Sequence, residues 1–194
     1  ELFADLRRTL AGGPVVEREV RSRGGDWWLA RIQPYGGRAP GSARAVMTFV
    51  NVTSLKDSQR LQAVIDSLPE HLAVLDLHGT ITMVNAAWRR FACDNGDPGL
   101  RNSGPGANYL NVCLLAAPHD PDAQRAFEGL QAVLDGRSPR FTMQYPCHSE
   151  TQRRWYLMHA SPVAHPAAGA VVSHIDITTW VENANQTLME ETSP

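Results

Sequence analysis

The sequence predicts an α+β fold, and three observations carry that expectation. Two strand-like segments come first, a helical middle follows, and three strand-like segments close the series, which is not the alternation of a βαβ protein. Part of this series occurs twice. Each copy also runs from its last strand straight into an amphipathic helix.

The repeat is visible in the residues. Val46–Ser54 matches Val171–Thr179 at an offset of 125. Trp27-Trp28-Leu29 running to Pro34 matches Trp155-Tyr156-Leu157 running to Pro162 at an offset of 128, and Leu10-Ala11-Gly12 resembles Leu134-Asp135-Gly136. Two full copies at this period would exceed the 194 residues present. The second copy is therefore read as whole and the first as its C-terminal half. A start at Glu1 in what reads as mid-helix fits an excised fragment.

The elements follow in order. Leu72–Asp76, a His78-Gly79 turn and Thr80–Val84 read as a hairpin. Asn85 is placed to cap a helix carrying Ala86, Trp88 and Phe91. Asp94–Pro105, rich in Gly, Asn, Pro and Asp, reads as a loop. Tyr109–Leu115 suits a short helix, and a longer one is expected from Asp120 or Pro121 to Leu134, ended by Gly136. Strands are expected over Arg140–Tyr145, Arg154–Val163 and Ala170–Ile177. Ser54 to Asp57 and Thr179 to Glu182 are expected to act as capping boxes. The helices they open would carry the stripes Leu61, Val64, Ile65 and Leu68, ended by Pro69, and Val181, Ala184 and Leu188.

Composition narrows the function. Eighteen basic residues against 20 acidic ones give a net charge of -2, so no field gathers nucleic acid or anionic membrane. No apolar run approaches the roughly 20 residues of a membrane span, and no secretory leader is recognised. Three widely spaced cysteines argue against a disulfide scaffold and for the cytoplasm. Neither a nucleophile motif nor a Gly-rich phosphate cradle stands out, so an enzyme is not expected. Cys147-His148 is the one adjacent pair of good metal ligands. Neighbouring strand residues face opposite ways, so no metal is expected there.

The hairpin from Asp76-Leu77-His78-Gly79 to Asn85, and the strand ending Asp176-Ile177-Thr178, resemble the opening and terminal signatures of the PAS family of sensor domains. The resemblance covers about residues 60–178. Residues 1–53 resemble the C-terminal half of such a domain, as found in chemotaxis methyltransferase/methylesterase fusions and hybrid sensor kinases. One departure is Asn51, which stands where the signature has Asp. The resemblance implies a PAS-like five-stranded antiparallel sheet with helices on one face. It also implies this division: a partial domain over 1–53, a helical linker over 54–69, a complete sensor domain over 70–178 and an output-linking helix over 179–194.

By analogy with flavin-binding relatives, His174 points into a pocket, with Gln144, Tyr156 and Met158 on neighbouring strands and Phe91 and Tyr109 from the helical segments. A filled core around a hydrogen-bonded histidine is the competing reading. Asp176 and Thr178 would relay a signal into the last helix. Photochemical flavin binding is rejected, because Tyr109 follows Asn108 where a cysteine is required and Cys113 lies a turn later. Haem is not expected, because His119 precedes the long helix, which holds no histidine. The cofactor stays unknown. Trp27 and Trp155 are expected on the outer sheet face, and a homodimer is the expected partner arrangement. The function implied is a sensory input module serving an output domain such as a histidine kinase or diguanylate cyclase. The alternative is a ligand-free dimerisation scaffold.

Overall fold

The computed structural model describes residues 1–36, 43–149, 152–164 and 169–191. The chain divides into two compact units, Glu1–Ala63 and Val64–Pro194.

In the first unit, helix α1 (Leu2–Leu10) precedes strands β1 (Val16–Arg21), β2 (Trp27–Tyr35) and β3 (Arg44–Asn51), which form an antiparallel meander. Ala30 and Ile32 are buried on β2. Helix α2 (Thr53–Asp66) begins in this unit and ends in the second.

The second unit holds β4 (His71–Leu75), β5 (Ile81–Val84), α3 (Ala86–Asp94), α4 (Tyr109–Ala116), α5 (Pro121–Leu134), β6 (Phe141–Pro146), β7 (Trp155–Pro162), β8 (Ala170–Asp176) and α6 (Thr178–Glu191). Its five strands pair antiparallel in the order β5-β4-β8-β7-β6. The first and last strands of the series, β4 and β8, meet at the centre, so the helices cross one face between them. Leu75, Ile81, Leu130, Val133, Met158 and Val172 form the buried core on that face.

Local chemistry sets the boundaries. In the β4–β5 turn the Asp76 carboxylate accepts the amides of His78 and Thr80, each at 2.8 Å. Gly79 there has φ +79, and a Cβ would lie 2.6 Å from Leu110 Cγ, so both conformation and space demand glycine. Asn108 and Asp120 cap α4 and α5, with Pro121 in the first turn of α5. The Leu-x-Gly repeat ends α1 and α5 alike, with Gly12 at φ +90 and Gly136 at φ +70.

Both strand-to-helix junctions are wired identically, and they correct the expected capping boxes. The helices start at Thr53 and Thr178, so Ser54 and Thr179 lie in the first turn. The acceptor at each junction comes from the end of the strand: Asn51 Oδ1 takes the Thr53 amide and Asp176 Oδ1 takes the Thr178 amide, both at 2.9 Å. Each threonine hydroxyl then accepts a tryptophan amide, Trp27 at 2.8 Å and Trp155 at 3.0 Å. Asn51 thus supplies the oxygen that Asp176 supplies in the other copy, and no salt bridge is required of it. Trp27 is partly buried beneath Arg21 and Lys56, and Trp155 packs edge-on to His148 at 4.9 Å. On α2, Leu61 and Val64 of the predicted stripe are exposed. The side chain of Leu188 lies outside the described residues.

Asn85 holds the second unit together at a point the sequence shows only as a helix cap. Its side chain is fully buried and makes five hydrogen bonds. Oδ1 accepts the amides of Trp88 at 2.9 Å and Leu72 at 3.1 Å. Nδ2 donates to the carbonyls of Glu70 at 2.8 Å, Ile65 at 3.1 Å and Leu68 at 3.5 Å. Beside it, Asp66 accepts the Ala86 amide at 2.6 Å and the Arg89 guanidinium at 2.8 Å. The end of α2, the start of β4 and the start of α3 are therefore fixed by two adjacent side chains. Asn85→Ala should cost about 2–4 kcal/mol, because several buried backbone groups lose their partner. Asn85→Asp should destabilise as well, because a carboxylate cannot donate to the three carbonyls and meets them with negative charge. Chemical denaturation of the two variants checks both.

Candidate functional site

Strand register decides which side chains reach the interior. Residues directly opposite in an antiparallel pair share a face. Met158 stands opposite both His174 and Met143, and Tyr156 opposite Tyr145. His71 stands opposite His174 on the other flank of β8. All of these face the helices. Gln144 stands opposite Leu157 and is exposed, so its predicted place in the pocket is corrected: it lies on the other face, and Tyr145 takes the inward position.

A cavity of ≈ 250 Å³ opens between α3, the loop after it, α4 and the sheet. Trp88, Phe91 and Ala92 line it from α3, and Tyr109 from α4. His71, Tyr145 and His174 come from the strands. Of the residues expected there, Phe91, Tyr109 and His174 are thus brought together. Tyr156 is buried behind the lining, with ring centroids 5.7 Å from Phe91 and 6.0 Å from Tyr145. Met158 lines a second cavity of ≈ 160 Å³ with Cys113 and Met143. Tyr109, Tyr145 and His174 border both cavities and form their common wall. Sequence reasoning missed Trp88, His71 and Tyr145. Trp88 and Phe91, three apart, share one face of α3, and Phe141, Met143 and Tyr145 alternate along β6. Those two spacings are the signals that could have found the first and last.

The common wall is a hydrogen-bonded bridge. Tyr145 Oη lies 2.8 Å from His174 Nδ1, and Tyr109 Oη lies 3.1 Å from Nε2. His174 is buried, and desolvation, helped by nearby His71, pushes its pKa down from 6.5 to about 3. Burial pushes both tyrosines up. The bridge is therefore uncharged at neutral pH. Burial also lowers His71, against an opposing pull from the Asp176 carboxylate. The Cys113 thiol is pushed up to about 11 by burial, so it stays protonated.

Besides the half-buried His71 ring, which stacks against Phe91 at 4.5 Å, the other polar groups at the cavity are engaged. The Trp88 indole N–H donates to the Ser103 carbonyl at 2.7 Å. The Asp97 carboxylate accepts the amides of Arg101, Asn102 and Ser103 and the Ser103 hydroxyl. These bonds, the Ser103 hydroxyl first, hold it below the usual carboxylate range. Asn95 accepts from Arg154, whose guanidinium lies over the Phe91 ring at 5.4 Å. Near Cys147-His148, the His148 ring accepts the Arg154 amide. Among the described residues no group of three His, Cys, Asp or Glu side chains could hold a metal ion.

The depressed pKa of His174 has a signed consequence. Its folded value lies below its unfolded one, so the unfolded chain binds the extra proton and stability falls as pH drops from 6.5 towards 3. Between pH 7 and pH 5 the native protein should lose about 2 kcal/mol more than a His174→Gln variant, which cannot take up that proton. Denaturation curves at the two pH values measure the difference.

A family model described as the PAS fold matches residues 65–182. The chain is 53% identical over 183 residues to an uncharacterised 104.1 kDa protein from Rhodobacter capsulatus, encoded in the hypE 3′ region. That alignment covers 92% of this chain and 19% of the relative, so the chain spans only a small part of that protein. Solved structures with a similar fold include the phage VqmA–DPO complex, at 16% identity over 73% of this chain and 62% of that one with a TM-score of 0.48. The PAS domain of Bordetella pertussis BvgS is 17% identical over 70% of this chain and 98% of that one, with a TM-score of 0.45. No helix among the described residues is long and apolar enough to cross a membrane. With a family model spanning more than half its length and the five-stranded antiparallel sheet of that fold, the chain belongs to the PAS family.

Proposed function

We propose that the second unit is a sensory input module. It binds a small molecule in the cavity beneath α3 and relays occupancy through β8 and α6 to an output domain of the same polypeptide, such as a histidine kinase or diguanylate cyclase. The module itself catalyses nothing and works in the cytoplasm. One observation carries this reading: His174, in the cavity wall, lies two residues before Asp176, which accepts the first amide of α6. A ligand that bonds to the Tyr109–His174–Tyr145 bridge acts on His174, and so on the strand whose end holds the outgoing helix. Only a difference in affinity between two states can drive such a change, and couplings of about 1–3 kcal/mol are typical. Pairing with a second copy belongs to the same reading, supported by exposed Leu61 and Val64 on α2 and exposed Trp180 on α6.

A thermal-shift screen of neutral, anionic and cationic small molecules tests the binding step. At least one class should raise the melting temperature by about 5–10 °C at a hundredfold excess over its Kd. Ala92→Leu, which fills the cavity, should abolish the shift. If no class shifts the native protein, the module is a ligand-free scaffold. The relay has a separate test in hydrogen exchange. Ligand should change protection of the first-turn amides of α6, and Thr178→Val, which removes the acceptor for the Trp155 amide, should uncouple that change from binding.

A further inference from the structure

We infer that the cavity takes a small, planar, uncharged aromatic molecule of one or two fused rings with a single hydrogen-bond acceptor on its edge. This rests on the reading of the cavity as a ligand site and specifies the class of ligand.

Volume sets the size. An engineered apolar cavity of about 150 Å³ holds one benzene ring, and this one measures ≈ 250 Å³. The walls set the shape. Trp88, Phe91, Tyr109, Tyr145 and the His71 ring surround the space, and neighbouring rings already meet in tilted or edge-on pairs, such as His71 with Phe91 at 4.5 Å. Such walls favour a ring that can stack or present an edge.

Charge is excluded by what is already bonded. Asp97 is the ionised group in the lining, and four donors within its own loop satisfy it. Arg154 lies over the Phe91 ring and is bonded to Asn95. A carboxylate entering the cavity would lose water and meet the Asp97 charge, and a quaternary ammonium, though rings attract it, has no acceptor for the phenol donor of the bridge.

The bridge sets the polar requirement. A neutral imidazole has one N–H and one lone pair. If Nδ1 carries the proton, it donates to Tyr145 and Nε2 accepts from Tyr109, and the Tyr145 O–H is left over. In the other tautomer the Tyr109 O–H is left over. Either way, one phenol O–H remains once the bridge is satisfied, and both phenols border the cavity. The bridge therefore offers one donor at either of two places, and the position of the incoming acceptor selects the tautomer.

Equilibrium dialysis near pH 8 with four bicyclic probes tests this. Quinoline supplies the acceptor, naphthalene lacks it, 2-naphthoate is an anion and 1-methylquinolinium a cation. Quinoline should bind the native chain about tenfold tighter than naphthalene, the worth of one hydrogen bond, and at least about tenfold tighter than either ion. In a Tyr109→Phe, Tyr145→Phe, His174→Leu variant, which removes every polar atom of the bridge, the quinoline-to-naphthalene ratio should fall by at least about tenfold, because the ring nitrogen is then buried without a donor. Should that variant fail to fold, the native ratios alone decide. Equal binding of quinoline and naphthalene, or preference for an ion, overturns the inferred class. Failure of all four probes alongside a hit from another class in the thermal-shift screen overturns the class but leaves the sensory reading standing. Failure in both experiments removes that reading too.

Discussion

Everything in the second unit is built out from the buried carboxamide of Asn85. Five backbone groups from three segments would otherwise be stranded without water, and one side chain with two acceptor and two donor positions serves them all. Position fixes its consequence. Asn85 caps α3, so Trp88 and Phe91 are held over the inner sheet face. It also binds the amide at the head of β4, next to His71. The walls of the cavity are thus set by a group that never touches the cavity.

The second constraint is the register of the central strands. β8 pairs with β4 on one side and β7 on the other, which brings His71, His174, Met158 and Met143 into one row across the sheet. A shift of one residue would send His174 to solvent and leave the two tyrosines without their common partner. Because both tyrosines and the imidazole are uncharged when buried, the bridge survives in an apolar setting that would reject an ion pair.

Much of this could be read from the residues. The Asp76–Gly79 turn, the capping asparagines and aspartate and the Gly136 stop are local chemistry, and the elements they bound lie within about a residue or two of expectation. His174 and Tyr109 were reachable from the family resemblance. The inward face of β6 was harder, since parity depends on the partner strand and Gln144 is as plausible a ligand group as Tyr145 until Leu157 is seen opposite it. His71 could not be found locally, because its role comes from a neighbour 103 positions away, His174. The helix starts were missed by one residue because an Asx-type acceptor two positions earlier did the work assigned to a hydroxyl.

The two junction clasps share their wiring but differ in one atom. Asp176 places a formal negative charge at the start of α6, where the helix dipole favours an anion, and Asn51 places a neutral amide at the start of α2. Added salt screens the Asp176 charge at the first, and at the second it acts on Lys56, which pairs with Glu19 at 2.7 Å and lies over the Trp27 ring. The repeat therefore carries one clasp design twice, and ionic strength reaches one copy through an anion on the strand end and the other through a cation in the helix's first turn.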